Sequence, residues 1–158
     1  MKPDRKPVDT VAVPSRDVLD PILGFKLRLS HKAAQEDWAA SAREQGITLT
    51  QVQAGMVMLI GDNPGLTQVE LAQLMQVETP TMSQALSPLV ANGLIRRETR
   101  PSDRRARALV LTDAGNAMLD NLHRFQQVRE ARLCRNLSAD ERRELHRLLE
   151  RVMATAQS

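Results

Sequence analysis

The stretch IRRETRPSDRRARALVLT, residues 95–112, decides the fold. Six arginines (Arg96, Arg97, Arg100, Arg104, Arg105 and Arg107) fall within 13 residues, opposed only by Glu98 and Asp103, so residues 95–107 carry 6 − 2 = +4 formal charges. The flanks read as two short strands, and Pro101-Ser102-Asp103 between them reads as a turn. A basic hairpin repels itself and calls for a polyanion. Directly upstream lies LTQVELAQLMQVETPTMSQALSPLVANGLIRR, residues 66–97, which reads as two short helices. Helix, turn, helix and then a basic hairpin is the layout expected of a winged helix-turn-helix that binds DNA.

Helix signals extend outward from this centre. Thr67 and Glu70 form a capping box that opens the helix TQVELAQLM. The next helix starts at Thr79-Pro80, as cap and first turn, and runs to Asn92 with Gly93 as terminator. Its stripe of Met82, Ala85, Leu86, Leu89 and Val90 faces the core. Thr81, Ser83, Gln84 and Ser87 lie on the other side. Pro88 removes a backbone hydrogen bond and should bend this helix. Upstream, Thr50 and Gln53 form a capping box for a helix that ends near Gly61, where Gly61-Asp62-Asn63-Pro64-Gly65 breaks the chain.

Longer helices flank this middle part. Asp20-Pro21 reads as the cap and first residue of a helix reaching about Glu44, closed by Gly46. Its apolar residues (Ile22, Phe25, Leu29 and Ala33, with Leu23, Leu27, Ala34 and Trp38) span more than one face, so it contacts two things. Thr112-Asp113 opens a helix to about Arg135 with the stripe Met118, Leu122, Phe125 and Val128. Ser138 and Glu141 cap a last helix carrying Leu145, Leu148, Leu149, Val152 and Met153. These long helices bear more apolar surface than the small middle region covers, and packing against a second copy of the chain solves this. Pro3, Pro7 and Pro14 interrupt any N-terminal helix. The expected architecture is mainly α with a small β-hairpin wing. It comprises a flexible arm (1–16), a helical dimerisation region (17–46 and 113–158) and a winged helix-turn-helix (47–112).

Composition narrows the function. The chain has 158 residues, 42% hydrophobic and 26% charged, as expected of one globular domain. Aromatics are only 2% (Phe25, Trp38 and Phe125), which argues against binding single strands on stacking platforms. The net charge is a mild +3, so its concentration in the hairpin matters more than its total. The single cysteine, Cys134, excludes an intramolecular disulfide or a cysteine-cluster metal site and reads as a small buried apolar residue. His31, His123 and His146 are too dispersed for a metal site. Without a Gly-rich phosphate loop or nucleophile motif, neither an enzyme nor a cofactor is expected. The N-terminal residues have no apolar run, so no membrane association and a cytoplasmic location are expected.

On the outer face of the fourth helix, Gln84 is the only long polar side chain before the proline. It is the candidate for adenine readout. Thr81, Ser83 and Ser87 are candidates for phosphate or short contacts, joined by Thr67, Gln68 and Thr79. In the hairpin the candidates are Arg104, Arg105 and Arg107, because a guanidinium is weakly hydrated and drawn to a narrow minor groove.

The whole order resembles the MarR family of regulators over about residues 20–155. SDRRARALVLT, residues 102–112, is close to the family's wing signature of Asp-x-Arg followed by Leu-Thr, and residues 66–97 match its helix-turn-helix. The resemblance implies homodimeric binding to a double-stranded operator. It also implies repression relieved by a small anionic or aromatic effector. Arg105 would then enter the minor groove, Asp103 would hold it, and the fourth helix would enter the major groove. Ala54-Gly55 stands where relatives often carry an aromatic residue, which leaves room for a ligand or for a close neighbouring helix. Arg28, His31, Lys32, Trp38, Ala54 and Met56 are the candidate effector contacts, for an aromatic carboxylate or its coenzyme A thioester. The alternative is an architectural DNA-binding protein without a ligand, which would leave a sequence-independent footprint.

Overall fold

The computed structural model describes residues 15–100 and 103–156, with backbone only at Arg100, 103–106 and Ala156. The expected arm therefore falls outside the described residues up to position 14, as does the Pro101-Ser102 part of the turn. Six helices and one hairpin follow in the order α1 (Leu23–Glu44), α2 (Gln51–Asp62), α3 (Gln68–Leu74), α4 (Thr79–Ala91), β1 (Ile95–Arg100), β2 (Asp103–Leu111), α5 (Asp113–Leu133) and α6 (Ala139–Ala156). The chain divides into two compact units, Met1–Ala34 and Gln35–Ser158.

Capping chemistry fixes most boundaries. At α2 and α3 both bonds of the capping box form, between Thr50 and Gln53 and between Thr67 and Glu70. Thr112 Oγ1 accepts from the Gly115 amide at α5, and Ser138 exchanges bonds with Glu141 at α6. Two starts differ from expectation. α1 begins at Leu23, not at Pro21, because the Asp20 carboxylate is engaged by Arg16 and Lys26, each at 3.3 Å, in the turn before it. The N-cap of α4 is Glu78, which makes no side-chain bond, and Thr79 is its first residue.

β1 and β2 pair antiparallel from Ile95↔Leu111 to Thr99↔Arg107, with a bulge before Arg100↔Asp103. Asp103 thus opens the second strand. A bridge between Thr67 and Ala108 and a 2.7 Å bond from the Leu109 amide to the Leu66 carbonyl tie β2 to the segment entering α3. The wing is thereby anchored to the helix-turn-helix through backbone.

One core joins Trp38, Ala42, Met56, Ile60, Leu71, Met82, Leu86, Leu89, Ile95, Leu109, Leu122 and Phe125. Close approaches depend on glycine: a Cβ on Gly115 would run into the Leu94 carbonyl, and one on Gly61 into Leu119. Gly55 would meet only Met75, at an ordinary 3.4 Å. Of the two glycines of α2, Gly61 and not Gly55 makes the tight approach to α5.

On α5 the buried face runs through Leu122, Phe125 and Arg129, while Val128 is 60% exposed. Four residues on from Phe125 comes Arg129, and this position takes the place expected of Val128. Its charge is met by Asp37 on α1, 3.0 Å from Nε. Among the described residues of α6 none is buried, and Leu145, Leu148 and Met153 are exposed. Cys134 is half-buried at the C-cap of α5, not fully buried as expected. Partial burial, then the hydrogen bond to and the charge of Glu130, push its thiol above the ordinary value, with Arg142 opposing.

Candidate nucleic-acid interface

The outer face of α4 is open. Met82, Leu86 and Leu89 are buried beneath it, while Thr79, Thr81, Gln84 and Ser87 are exposed and Ser83 is half-buried. The helix continues through Pro88 to Ala91. Pro88 is exposed, and the carbonyl it leaves without a helical donor belongs to exposed Gln84, which water can reach. Ser87 Oγ donates to the Ser83 carbonyl at 2.9 Å.

Gln68, the first residue of α3, reaches across to both neighbours. Its Nε2 donates to Ser83 Oγ at 2.6 Å, and its Oε1 accepts from Arg97 Nη2 at 3.4 Å. The structure thus joins two of the expected contact residues and adds Arg97, one of the six hairpin arginines. Thr67 is half-buried and serves as N-cap of α3 and bridge partner of Ala108.

In the wing, Arg96 is paired with Glu98 at 2.7 Å. Arg107 is exposed, and its Nη1 lies 3.4 Å from Thr99 Oγ1. The side chains of Asp103, Arg104 and Arg105 lie outside the described residues, and β2 carries their backbone.

The effector candidates separate by environment. Trp38, Ala54 and Met56 are core residues. Trp38 meets Phe125 edge to face with centroids 4.9 Å apart, and its Nε1 donates to the Leu49 carbonyl at 3.3 Å. Arg28, His31 and Lys32 are exposed in the first half of α1, with the Arg28 guanidinium 4.9 Å from the Phe25 ring centroid.

A winged helix-turn-helix with an open polar recognition helix and a cationic hairpin defines a DNA-binding module. Comparison with known proteins supplies the family. The model of the MarR family matches residues 45–106. A Thauera aromatica protein described as the transcriptional regulator for the hcr operon is 34% identical over 131 residues, covering 82% of this chain and 78% of that protein. The transcriptional repressor CouR, bound to a 23-mer DNA duplex, superposes with a TM-score of 0.82 at 30% identity, covering 90% of this chain and 99% of CouR. A mutant of MarR from E. coli complexed with operator DNA gives a TM-score of 0.78 at 26% identity, covering 87% and 99%. This chain belongs to the MarR family and is a DNA-binding transcriptional regulator, not an enzyme. Among the described residues, no helix is long and apolar enough to cross a membrane.

Proposed function

We propose that the chain is a homodimeric repressor that binds a near-palindromic operator and is released by an aromatic acid or its coenzyme A thioester. Residues 47–112 carry the DNA, and residues 17–46 with 113–158 carry the dimer. The exposed apolar side chains of α6 and at the start of α1 (Leu23, and Ile22 just before it, are about half exposed) support a second copy as their cover. On the DNA, α4 enters the major groove with Gln84 reading a base. Thr79, Thr81, Ser83 and Ser87 bind around it, with Thr67 and Gln68 behind them. The wing brings Arg104, Arg105 and Arg107 to the adjacent minor groove, with Asp103 orienting Arg105.

The observation that carries the effector class is the likeness to CouR, which is known bound to p-coumaroyl-CoA. That form superposes on this chain with a TM-score of 0.80 at 27% identity, covering 88% of this chain and 96% of CouR. Arg28, His31 and Lys32 are the candidates for meeting an anionic group of the ligand, and Trp38, Ala54 and Met56 are the apolar candidates. Because the last three are buried, an aromatic ring reaches them only if the core opens.

Releasing DNA 100-fold requires the ligand to favour the non-binding form by about 2.7 kcal/mol, and DNA must weaken the ligand by the same factor. The test titrates aromatic acids and their coenzyme A thioesters against a preformed operator complex. Release by one class, with the reciprocal loss of ligand affinity on adding operator, is the expected result. No release by any of them, or a footprint without sequence preference, overturns the proposal. In the same assay Arg105→Ala should weaken operator binding strongly at unchanged dimer mass, with Asp103→Ala a milder copy.

A further inference from the structure

We propose that Gln68, Ser83 and Arg97 form a clamp for one DNA backbone phosphate, with Gln68 as the positioning residue. The inference rests on the reading that α4 docks on duplex DNA; to Gln68 and Ser83, already placed at the DNA, it adds Arg97 and one phosphate shared by all three.

The geometry fixes the polarity of each group. Gln68 is half-buried at the start of α3, its Nε2 2.6 Å from Ser83 Oγ and its Oε1 3.4 Å from Arg97 Nη2. Turning the amide round would set its NH2 against a guanidinium, two donors with no acceptor, so Arg97 locks the orientation. Ser83 Oγ is then the acceptor of the Gln68 bond and keeps its own proton to give away. Arg97 is exposed, and among the described residues its hydrogen-bonding partner is the Gln68 oxygen. The next arginine, Arg96, points to the other face of β1 and is paired with Glu98 at 2.7 Å. The Arg96 guanidinium is thus paired with a carboxylate, whereas that of Arg97 is held in place by a neutral group.

The outward offer of this trio is a hydroxyl donor and a cation with spare N–H groups, with the one strong acceptor turned inward. That chemistry selects an anion with several acceptor oxygens. Beside the exposed face of α4, a phosphodiester of the docked duplex meets it, and such contacts set register and not sequence. Gln68 adds to the binding by holding a flexible arginine in one place, which lowers the ordering cost at docking.

The experiment measures operator affinity against salt for the full-length protein and for Arg97→Ala, Gln68→Ala, Gln68→Glu and Arg96→Ala, with thermal unfolding as the control for folding. Arg97→Ala should lower the log–log salt slope by about 0.9 per subunit and weaken operator and non-operator duplexes alike. Gln68→Glu should reproduce that slope, because the new carboxylate cancels the Arg97 charge. Arg96→Ala should leave it unchanged. The Gln68→Ala penalty should vanish in an Arg97→Ala/Ser83→Ala background. The clamp is overturned if Arg97→Ala keeps the wild-type slope while Arg105→Ala lowers it, in which case docking stands and only the clamp falls. A Gln68→Ala penalty that persists in the double background, or that is confined to particular base pairs, also overturns it. A wild-type protein whose duplex binding ignores salt overturns the docking reading itself.

Discussion

Removing the carboxylate of Asp37 tests how α1 is held to α5. Arg129 is only 6% exposed, with its Nε 3.0 Å from Asp37 Oδ2, and Arg132 Nη2 lies 2.6 Å from Oδ1. Arg132 also bonds Ser41, and the Arg129 guanidinium sits 5.3 Å from the Trp38 ring centroid. Asp37→Ala keeps both cations and deletes the group they share. Breaking a buried pair from one side costs about 3–5 kcal/mol, because a charge is left in a low-dielectric site. Arg132 is 38% exposed, and its share is screened to about 0.5 kcal/mol. Asp37 is itself 19% exposed, so water reaches the vacated place and moves the Arg129 share to the low end of its range. The expected loss is about 3 kcal/mol, a large part of the roughly 5–15 kcal/mol that holds a domain.

With a urea slope of about 2 kcal/mol/M, that loss lowers the midpoint by roughly 1.5 M. The assay is urea unfolding at one fixed protein concentration, so that any self-association contributes equally to all variants. Arg129→Met provides the control: it removes the cation while filling similar space, and replacing buried ions by apolar groups is often near neutral. Asp37→Ala/Arg129→Met should therefore be more stable than Asp37→Ala alone. A single-variant loss below about 1 kcal/mol, or a double variant as unstable as Asp37→Ala, would refute the reasoning.

Other outcomes follow from single contacts. Gly115→Ala should cost about 1–3 kcal/mol, because its methyl meets the Leu94 carbonyl and α5 must shift; Gly55→Ala, with only Met75 at 3.4 Å, should be tolerated, and equal thermal midpoints for the two would contradict the packing described. Gln84→Ala should cost roughly 1–3 kcal/mol at one base pair of the operator, and a uniform loss over all operator variants would rule out base readout. Because its thiol is pushed up, Cys134 should alkylate more slowly than a free cysteine near neutral pH, with the rate rising only at more alkaline pH. Glu130→Gln removes the raising charge and should speed the reaction, and labelling faster than free cysteine in the wild type would contradict the assignment.

Local chemistry was legible in the sequence, and long-range pairing was not. Thr50/Gln53, Thr67/Glu70 and Ser138/Glu141 could be read as caps because each box closes within four residues. The two strands of the hairpin were legible from the segments flanking Pro101-Ser102-Asp103, of which Asp103 belongs to the second strand. Asp20 misled because its nearby cations compete for the carboxylate that a helix start would use. The α5 stripe failed at its last step because hydrophobicity alone favoured Val128 over Arg129, and Arg129 is met inside by Asp37, 92 residues away, and by the Trp38 ring. The link from Gln68 to Arg97 spans 29 residues, and nothing in either sequence neighbourhood signals it. The exposure of Thr79, Thr81, Gln84 and Ser87 on α4 was legible from helical period alone, whereas Thr67, Gln68 and Ser83 have internal partners.

The connection between α4 and α5 bears on how a signal in the helical region reaches the DNA face. Gly93 ends α4 with φ +69, and its carbonyl accepts from Thr112 Oγ1 at 2.5 Å. The Leu94 carbonyl accepts from the Thr112 amide at 3.0 Å and stands directly over Gly115. Thr112 is also the N-cap of α5. The end of the recognition helix, the root of the wing and the first turn of α5 are therefore one hydrogen-bonded joint, close-packed at Gly115. β2 is tied in turn to the entry of α3 through Leu66 and Thr67. A joint of this kind transmits displacement instead of absorbing it, since packed interiors have little compressibility. Asp37 and Ser41 grip α5 near its other end, through Arg129 and Arg132. A 21-residue helix is about 31 Å long, so a small tilt there becomes a larger movement of α4 and the wing together. An effector acting through α5 has no need to reshape the DNA-binding face. It has only to stabilise a different inclination of one helix, by the few kcal/mol that a 100-fold release requires.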